Sequence, residues 1–245
     1  MKISVCMATY NGDKYIKKQL ESILYQLDIN DEIIISDDSS IDDTLEIIES
    51  FNDTRIKLDK NQKFQSPIFN FENAIKHSEG DIIILSDQDD IWHFNKIEII
   101  KKSITSHKIC LQMYNGNCID SSGNVIKNDL FNYLGVEYGL LSNIKKNSFI
   151  GCNVAFSKEL LKVILPFPKD IPMHDMWIGS CAYLFGEVKF IDNKIFSYRL
   201  HENNFTGKAT SFFQKIKWRI LLVKNLAIRM VAIKVRDWVR LTSDQ

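Results

Sequence analysis

Short, unbroken apolar runs alternate along the N-terminal half of the chain with stretches whose apolar residues recur every three or four positions. Ile3–Ala8 is a run of the first kind. Asp13–Leu27 is of the second, with Ile16, Leu20, Ile23, Leu24 and Leu27 at helical spacing. Glu32–Ser36 holds three consecutive isoleucines, too continuous for a half-exposed strand, so it suits a parallel sheet covered on both faces. The pattern then predicts a helix over Asp42–Phe51 capped by Ser39 or Ser40, a short strand over Ile56–Asp59, a helix over Phe69–His77 ended by Gly80, and a buried strand over Asp81–Ser86. This βαβαβαβ order implies an α/β fold with an open, mostly parallel sheet and helices on both faces.

The second half is mixed. Strands are expected over Ile109–Ile119 and Ser148–Phe156, with a turn at Asp120–Gly123. A helix over Ser157–Leu165 should stop at Pro166, and another should run from His174 to Phe185. Strands near Glu187–Ile191 and Ile195–Leu200 follow, then a long helix over Phe212–Leu241. No repeat or low-complexity linker interrupts the chain.

Charge separates the ends. The chain has 31 basic and 31 acidic residues, so a globally basic, nucleic-acid-binding surface is excluded. Residues 208–245 nevertheless carry nine basic and two acidic side chains, leaving residues 1–207 net acidic. The expected organisation is a domain over 1–207, with halves 1–110 and 111–207, and a basic amphipathic tail over 208–245. On a helical projection Lys215, Arg219, Arg229, Arg236 and Arg240 fall within about a 100° sector. Phe212, Ile216, Val223, Leu226, Ala227, Met230, Trp238 and Leu241 occupy other faces. A basic stripe beside apolar residues and Trp predicts an interfacial helix on an anionic membrane surface. The five cysteines (Cys6, Cys110, Cys118, Cys152, Cys181) have no C-x-x-C spacing and read as buried, reduced thiols. With no signal-type h-region and no run long enough to span a bilayer, the expected location is cytoplasmic, peripheral on the inner face of the cell membrane.

Ligands bind open parallel sheets at the carboxyl ends of strands. There the first strand ends in Thr9-Tyr10-Asn11-Gly12, the second in Asp37-Asp38-Ser39-Ser40, and the one over 82–86 in Asp87-Gln88-Asp89-Asp90. The first loop is neither G-x-G-x-x-G nor a phosphate loop, so dehydrogenase and NTPase classes lack their motif. Three carboxylates within four residues oppose one another's ionisation unless a cation shares them. Mg²⁺ or Mn²⁺ suits such a set, with substrate phosphate oxygens completing the shell. A solvated acidic turn capping the next helix would look the same.

Together these segments carry a resemblance. ISVCMATYNG, IIISDDSSIDDT and DQDDIW resemble the S-V-x-x-x-T-Y-N, D-D-x-S-x-D-x-T and D-x-D-D motifs of the family 2 glycosyltransferases, which have the GT-A fold. The segment HDMWIG followed by YRLHENNFTG resembles the H-D-x-W and Y-R-x-H-x-x-N-x-x-G of their rhamnosyltransferase-like branch. The resemblance implies an inverting transferase that moves one sugar from a nucleotide sugar, dTDP-L-rhamnose before a UDP-hexose, to a lipid-linked saccharide in surface polysaccharide biosynthesis. It places Thr9, Tyr10 and Asn11 in the nucleotide pocket, Asp38 on the base imide N–H, and Asp87 and Asp89 on a divalent cation. It further puts Asp90 on the donor sugar or ribose, His201 on the metal or hydrogen-bonded to phosphate, Arg199 on phosphate or in a structural ion pair, and Asp175 as the base. Ser39 and Glu202 depart from it, standing where the family often has glycine.

Other classes fit less. A sugar-1-phosphate nucleotidyltransferase needs a Gly-rich basic first loop. Gln214–Trp218 only loosely echoes the Q-x-x-R-W of processive synthases, with Lys217 in place of Arg. A catalytically silent GT-A-like scaffold docking through its tail is the alternative from another class.

Overall fold

The computed structural model describes residues 1–104, 107–202 and 211–243, the last four of these as backbone. Asn204 and Gly207 of the last motif, and the side chains of Arg240 and Leu241, lie outside the described residues.

Strands β1 (Ile3–Thr9), β2 (Glu32–Asp37), β3 (Ile56–Asp59) and β4 (Ile82–Ser86) form a parallel half-sheet in the order β3-β2-β1-β4. Helices α1 (Asp13–Leu24), α2 (Thr44–Ser50) and α3 (Pro67–Lys76) make the crossovers. Every residue of β2 and β4 is buried, as continuous isoleucine runs require when both faces are covered. The two coverings can be assigned. Cys6 Sγ reaches the Ala74 carbonyl of α3, so α3 lies on the Ser4/Cys6 face. Gln19 of α1 donates to Ser86, which pairs with Met7, so α1 lies on the Ile3/Val5/Met7 face.

Boundaries shift where polar groups have other work. Neither Ser39 nor Ser40 caps α2: Ser39, at φ 63°, donates to the Gln62 carbonyl, and Ser40 donates to Asp37. Asp42 accepts the Thr44 amide instead. Helix α3 starts two residues earlier than expected because Pro67 fills its first turn, where a missing N–H costs nothing.

Beyond β4 come β5 (Ile91–Trp92), α4 (Lys96–Ser103), β6 (Cys110–Ile119), β7 (Val125–Lys127), α5 (Leu130–Leu134) and α6 (Leu140–Lys145). They are followed by β8 (Val154–Ser157), α7 (Leu161–Ile164), α8 (His174–Phe185), β9 (Glu187–Arg199) and α9 (Phe212–Ser243). The full sheet runs β3-β2-β1-β4-β8-β6-β9-β5, with β7 beside β6. Strand β8 is antiparallel to both neighbours, whereas β6 and β9 are parallel, so parallel ladders hold most of the pairing. The expected strand over 148–156 begins only at Val154, because Gly151–Asn153 makes a 3₁₀ turn against the His174 ring. The two strands expected after α8 are one, β9, whose register shifts opposite Tyr114–Asn117. Asn115 donates to Asp192 at 2.6 Å and holds that irregularity in place.

The helix expected over the tail is present, but Arg219, Arg229 and Arg236 of its basic stripe reach back to the protein. Arg219 donates to the Lys145 carbonyl, and Arg236 to that of Lys162 at 3.1 Å. Arg229 donates to Val163, Leu165 and Pro166 carbonyls at 2.5–2.7 Å and stacks on Trp177. Those are the orphan carbonyls at the end of α7, and a guanidinium fork suits them better than water does. Leu222, Leu226 and Ile233 are buried beside these arginines. Arg229→Ala should therefore lower stability by about 2–4 kcal/mol. Denaturant titration checks this, and an unchanged midpoint would show that the fork adds nothing to folding. Among the described residues no helix is long and apolar enough to cross a membrane.

Candidate active site at the carboxyl edge of the sheet

The loops after β1 and β2 are knitted by short side chains. Thr9 Oγ1 donates to Asp37 Oδ2 at 2.8 Å, and Asp37 also accepts the amide and hydroxyl of Ser40. Asn11, at φ 47°, receives the Ile41 amide on its side chain and donates its own amide to Ser40. Asp38 accepts the amides of Phe64 and Ser66, one on each oxygen, at 2.7 and 3.0 Å. Each oxygen keeps a further lone pair. Tyr10 points outward, 57% exposed. Its main chain is clamped in both directions by the Gln88 amide. A Cβ on Gly12 would stand 2.5 Å from that amide, so the clamp needs glycine there.

The carboxylate segment follows β4 directly, and β5 explains its surroundings. Ile91 and Trp92 pair with Ser197 and Phe196, which brings the end of β9 alongside Asp89 and Asp90. Asp90 Oδ1 accepts the Arg199 amide at 2.9 Å, while its other oxygen is buried with no hydrogen-bond partner. His201 Nε2 lies 2.7 Å from Asp89 Oδ2, and its ring sits 5.1 Å from that of Tyr15. Ligand atoms of Asp87, Asp90 and Cys152 lie within 4.8 Å of one another. Burial, then the neighbouring Asp89, Asp90 and Asp175 charges, raise the Asp87 carboxyl well above its ordinary range. Burial and Asp89 push Asp90 up to about 7. Burial likewise holds the Cys152 thiol protonated. Lys96, buried over the Trp92 and Phe196 rings, is lowered to about 8 by the same cause.

Arg199, expected on phosphate or in a structural ion pair, bonds main-chain carbonyls. It is 3% exposed, and its guanidinium donates to the carbonyls of Asp89, Asp120 and Ser121 and packs on Tyr15. It braces the carboxylate loop from behind.

Asp175 opens α8 and is 6% exposed. Its Oδ1 accepts Asn147 Nδ2 at 2.9 Å and its neighbour's amide, Met176 N–H, at 2.7 Å. Burial raises it to about 6 against these hydrogen bonds. Its charge is one of the smaller causes that raise Asp87. His174 beside Asp175 turns inward, stacked on Phe71, with both ring nitrogens buried and unpartnered, and burial lowers it to about 3.

The fold thus brings Asp87, Asp89, Asp90 and His201 together at the carboxyl edge of the sheet, with Thr9, Tyr10, Asn11 and Asp38 on the adjoining loops and Asp175 at the start of α8. Cys152, Gln88 and Tyr15 also line or brace that edge, and sequence reasoning did not mark them. Gln88 stood inside the acidic motif. Cys152 carried no signal, since its approach depends on the 3₁₀ turn.

Comparison with known proteins agrees. Residues 4–165 match the family model described as Glycosyl transferase family 2. The chain is 35% identical to the dTDP-rhamnosyl transferase RfbG of Shigella flexneri, over 94% of this chain and 83% of that one. It is 29% identical to the Escherichia coli UDP-Glc:alpha-D-GlcNAc-diphosphoundecaprenol beta-1,3-glucosyltransferase WfgD, over 65% of this chain and 61% of that relative, less than two thirds of its length. Among solved structures, Staphylococcus aureus TarS 1–349 with UDP-GlcNAc superposes with a TM-score of 0.71 at 21% identity, covering 94% of this chain and 69% of that one. The mannosyltransferase PcManGT of Pyrobaculum calidifontis with GDP-Man and Mn²⁺ gives 0.62 at 17% identity, covering 95% and 75%. These structures share the GT-A fold. On its sequence family, its sheet and its pocket, the chain belongs to the family 2 glycosyltransferases, in their rhamnosyltransferase-like branch.

Proposed function

We propose that the chain transfers a single sugar, with inversion, from dTDP-L-rhamnose to a lipid-linked saccharide at the inner face of the cell membrane, in surface polysaccharide assembly. The carrying observation is the 2.7 Å approach of His201 to Asp89 beside three further acids at the edge where β1, β2 and β4 end. Similarity to a dTDP-rhamnosyl transferase over nearly the whole chain supports rhamnose over a UDP-hexose. Similarity to an enzyme named for a diphosphoundecaprenol-linked acceptor supports the lipid. In this reading residues 1–110 hold the donor, 111–207 the acceptor, and 208–245 form an appended tail.

Tyr10 stands beside the base, Asp38 accepts its imide N–H on a remaining lone pair, and Thr9 and Asn11 fix those loops. Asp89 and His201 would hold a divalent cation, Mg²⁺ or Mn²⁺, with Asp87. The donor set suits a cation. Ligand atoms of Asp87 and Asp90 lie within 4.8 Å of each other, and one Asp90 oxygen is buried and unpartnered. The hydrogen-bonded Asp89–His201 pair joins the same carboxylate segment to the chain just past β9. Such a cation supplies Lewis-acid stabilisation of charge on the leaving diphosphate. Asp90 orients the sugar or ribose. Arg199 positions the loop rather than touching phosphate. As the acceptor oxygen bonds the anomeric carbon, its proton passes to the Asp175 carboxylate, and the anomeric C–O bond breaks with its electron pair leaving on the diphosphate.

A panel of nucleotide sugars with Mg²⁺ or Mn²⁺ and a lipid-linked acceptor, read as released nucleotide diphosphate, tests this. Release should be greatest with dTDP-L-rhamnose. Release only from UDP-hexoses overturns the donor assignment. Background release from every donor leaves the silent scaffold.

A further inference from the structure

With its arginines turned inward, α9 shows solvent a different face. Ile216, Ile220, Val223, Ala227, Val231 and Val235 fall within a sector of about 120°, roughly opposite Leu222 and Ile233. All six are exposed, Ile220 and Val231 by more than 60%. Lys217, Lys224 and Lys234 occupy the same sector, also exposed, and no acid does. The helix rises 1.5 Å per residue, so from Ile216 to Val235 this strip is about 28 Å long. An apolar strip of that length left in water marks a binding surface.

We infer that this outward face, and not the arginine stripe, is the surface that docks the protein on an anionic lipid bilayer. The charge decides the occupant. Two copies meeting through this face about a twofold axis would set lysines against lysines, whereas anionic headgroups neutralise all three. Valine and isoleucine side chains reach the acyl boundary while the lysine stems carry their ammonium groups back to the headgroups. The inference deepens the membrane-face reading above by naming the surface, and it does not depend on the sugar transferred.

Flotation of the full chain with vesicles of phosphatidylcholine, with or without phosphatidylglycerol, tests it. The parent should float with the anionic vesicles alone. Replacing Lys217, Lys224 and Lys234 together by Gln should weaken partitioning by about 10²-fold at low salt, roughly fivefold per lysine. Ile220→Ser with Val231→Ser should weaken it at least about tenfold. Arg219→Gln, on the body-facing side, should float like the parent. Equal flotation of parent and outward-face variants overturns the inference. So does a concentration-dependent dimer that the Ile220→Ser, Val231→Ser pair dissolves. Nucleotide diphosphate release in vesicle-free solution should be unchanged in the outward-face variants. Lost flotation with retained release isolates the docking surface, whereas absent release in the parent sinks the transferase reading and leaves the flotation result standing.

Discussion

Asp89→Ala should lower turnover by about 10³-fold or more and abolish any dependence on Mg²⁺ or Mn²⁺. In the proposed reaction the leaving nucleotide diphosphate takes up negative charge as the anomeric bond breaks, next to Asp87 and Asp90, whose carboxyls are already raised by burial and by Asp89. On that reading, carboxylates without a cation would repel the leaving group. Asp89 and His201 come from two separate segments and meet in a 2.7 Å hydrogen bond, in which the ring N–H donates to the carboxylate. His201→Ala should accordingly weaken cation binding in the same direction, by less, because one anionic ligand remains. The fold should survive either change. Asp89 is tied to Arg199 through its main-chain carbonyl, which alanine keeps, and removing its charge relieves Asp87 and Asp90. Mn²⁺ titration by calorimetry, with a melting curve for each variant, separates loss of the ion from loss of structure. Full turnover in excess chelator would end the metal assignment.

The parts of this pocket legible in the sequence were those set by local pattern. Ile33–Ile35 and Ile82–Leu85 could only be strands buried on both faces, and the acids that follow them had to lie at one edge. Helix α8 begins at His174 and ends at Phe185 as its spacing predicts. Parts set by tertiary contact were not legible. Two residues of β5 are too short to show a period, yet their pairing with Phe196 and Ser197 is what carries Arg199 and His201 to the acids. Arg199 looks like a phosphate ligand in sequence because nothing local reveals the three carbonyls it serves. The α9 stripe shows the same limit. A projection finds that arginines share a face, but which face meets the protein depends on the free carbonyls after α7, 63–66 residues earlier in the chain.

Asp175→Asn should lower turnover about 10²–10⁴-fold while leaving donor binding intact. An inverting attack needs a base across the donor from the diphosphate. Asp175 sits in the first turn of α8, an element separate from the loops after β1, β2 and β4 that carry the other site residues. Burial raises its carboxyl to about 6, which makes it a stronger proton acceptor than an exposed aspartate yet ionised at neutral pH. Turnover in the parent should therefore rise with pH as Asp175 ionises near 6, and Asp175→Asn should lose that limb while any limb set by Asp90, near 7, remains. Stability carries the opposite sign. A carboxyl whose folded value lies above its unfolded one costs stability as pH rises through that window, here on the order of 3 kcal/mol at neutral pH. Asparagine removes that cost. Its Oδ1 still accepts Asn147 Nδ2 and the Met176 amide, so the start of α8 keeps its hydrogen bonds. A helix-capping role alone would thus predict an active enzyme with an unchanged or higher melting temperature. A proton-accepting role predicts a folded, donor-binding protein that barely turns over and has lost the rise near pH 6. Near-normal turnover in Asp175→Asn, with donor bound, would remove this residue from the chemistry and leave it as a cap.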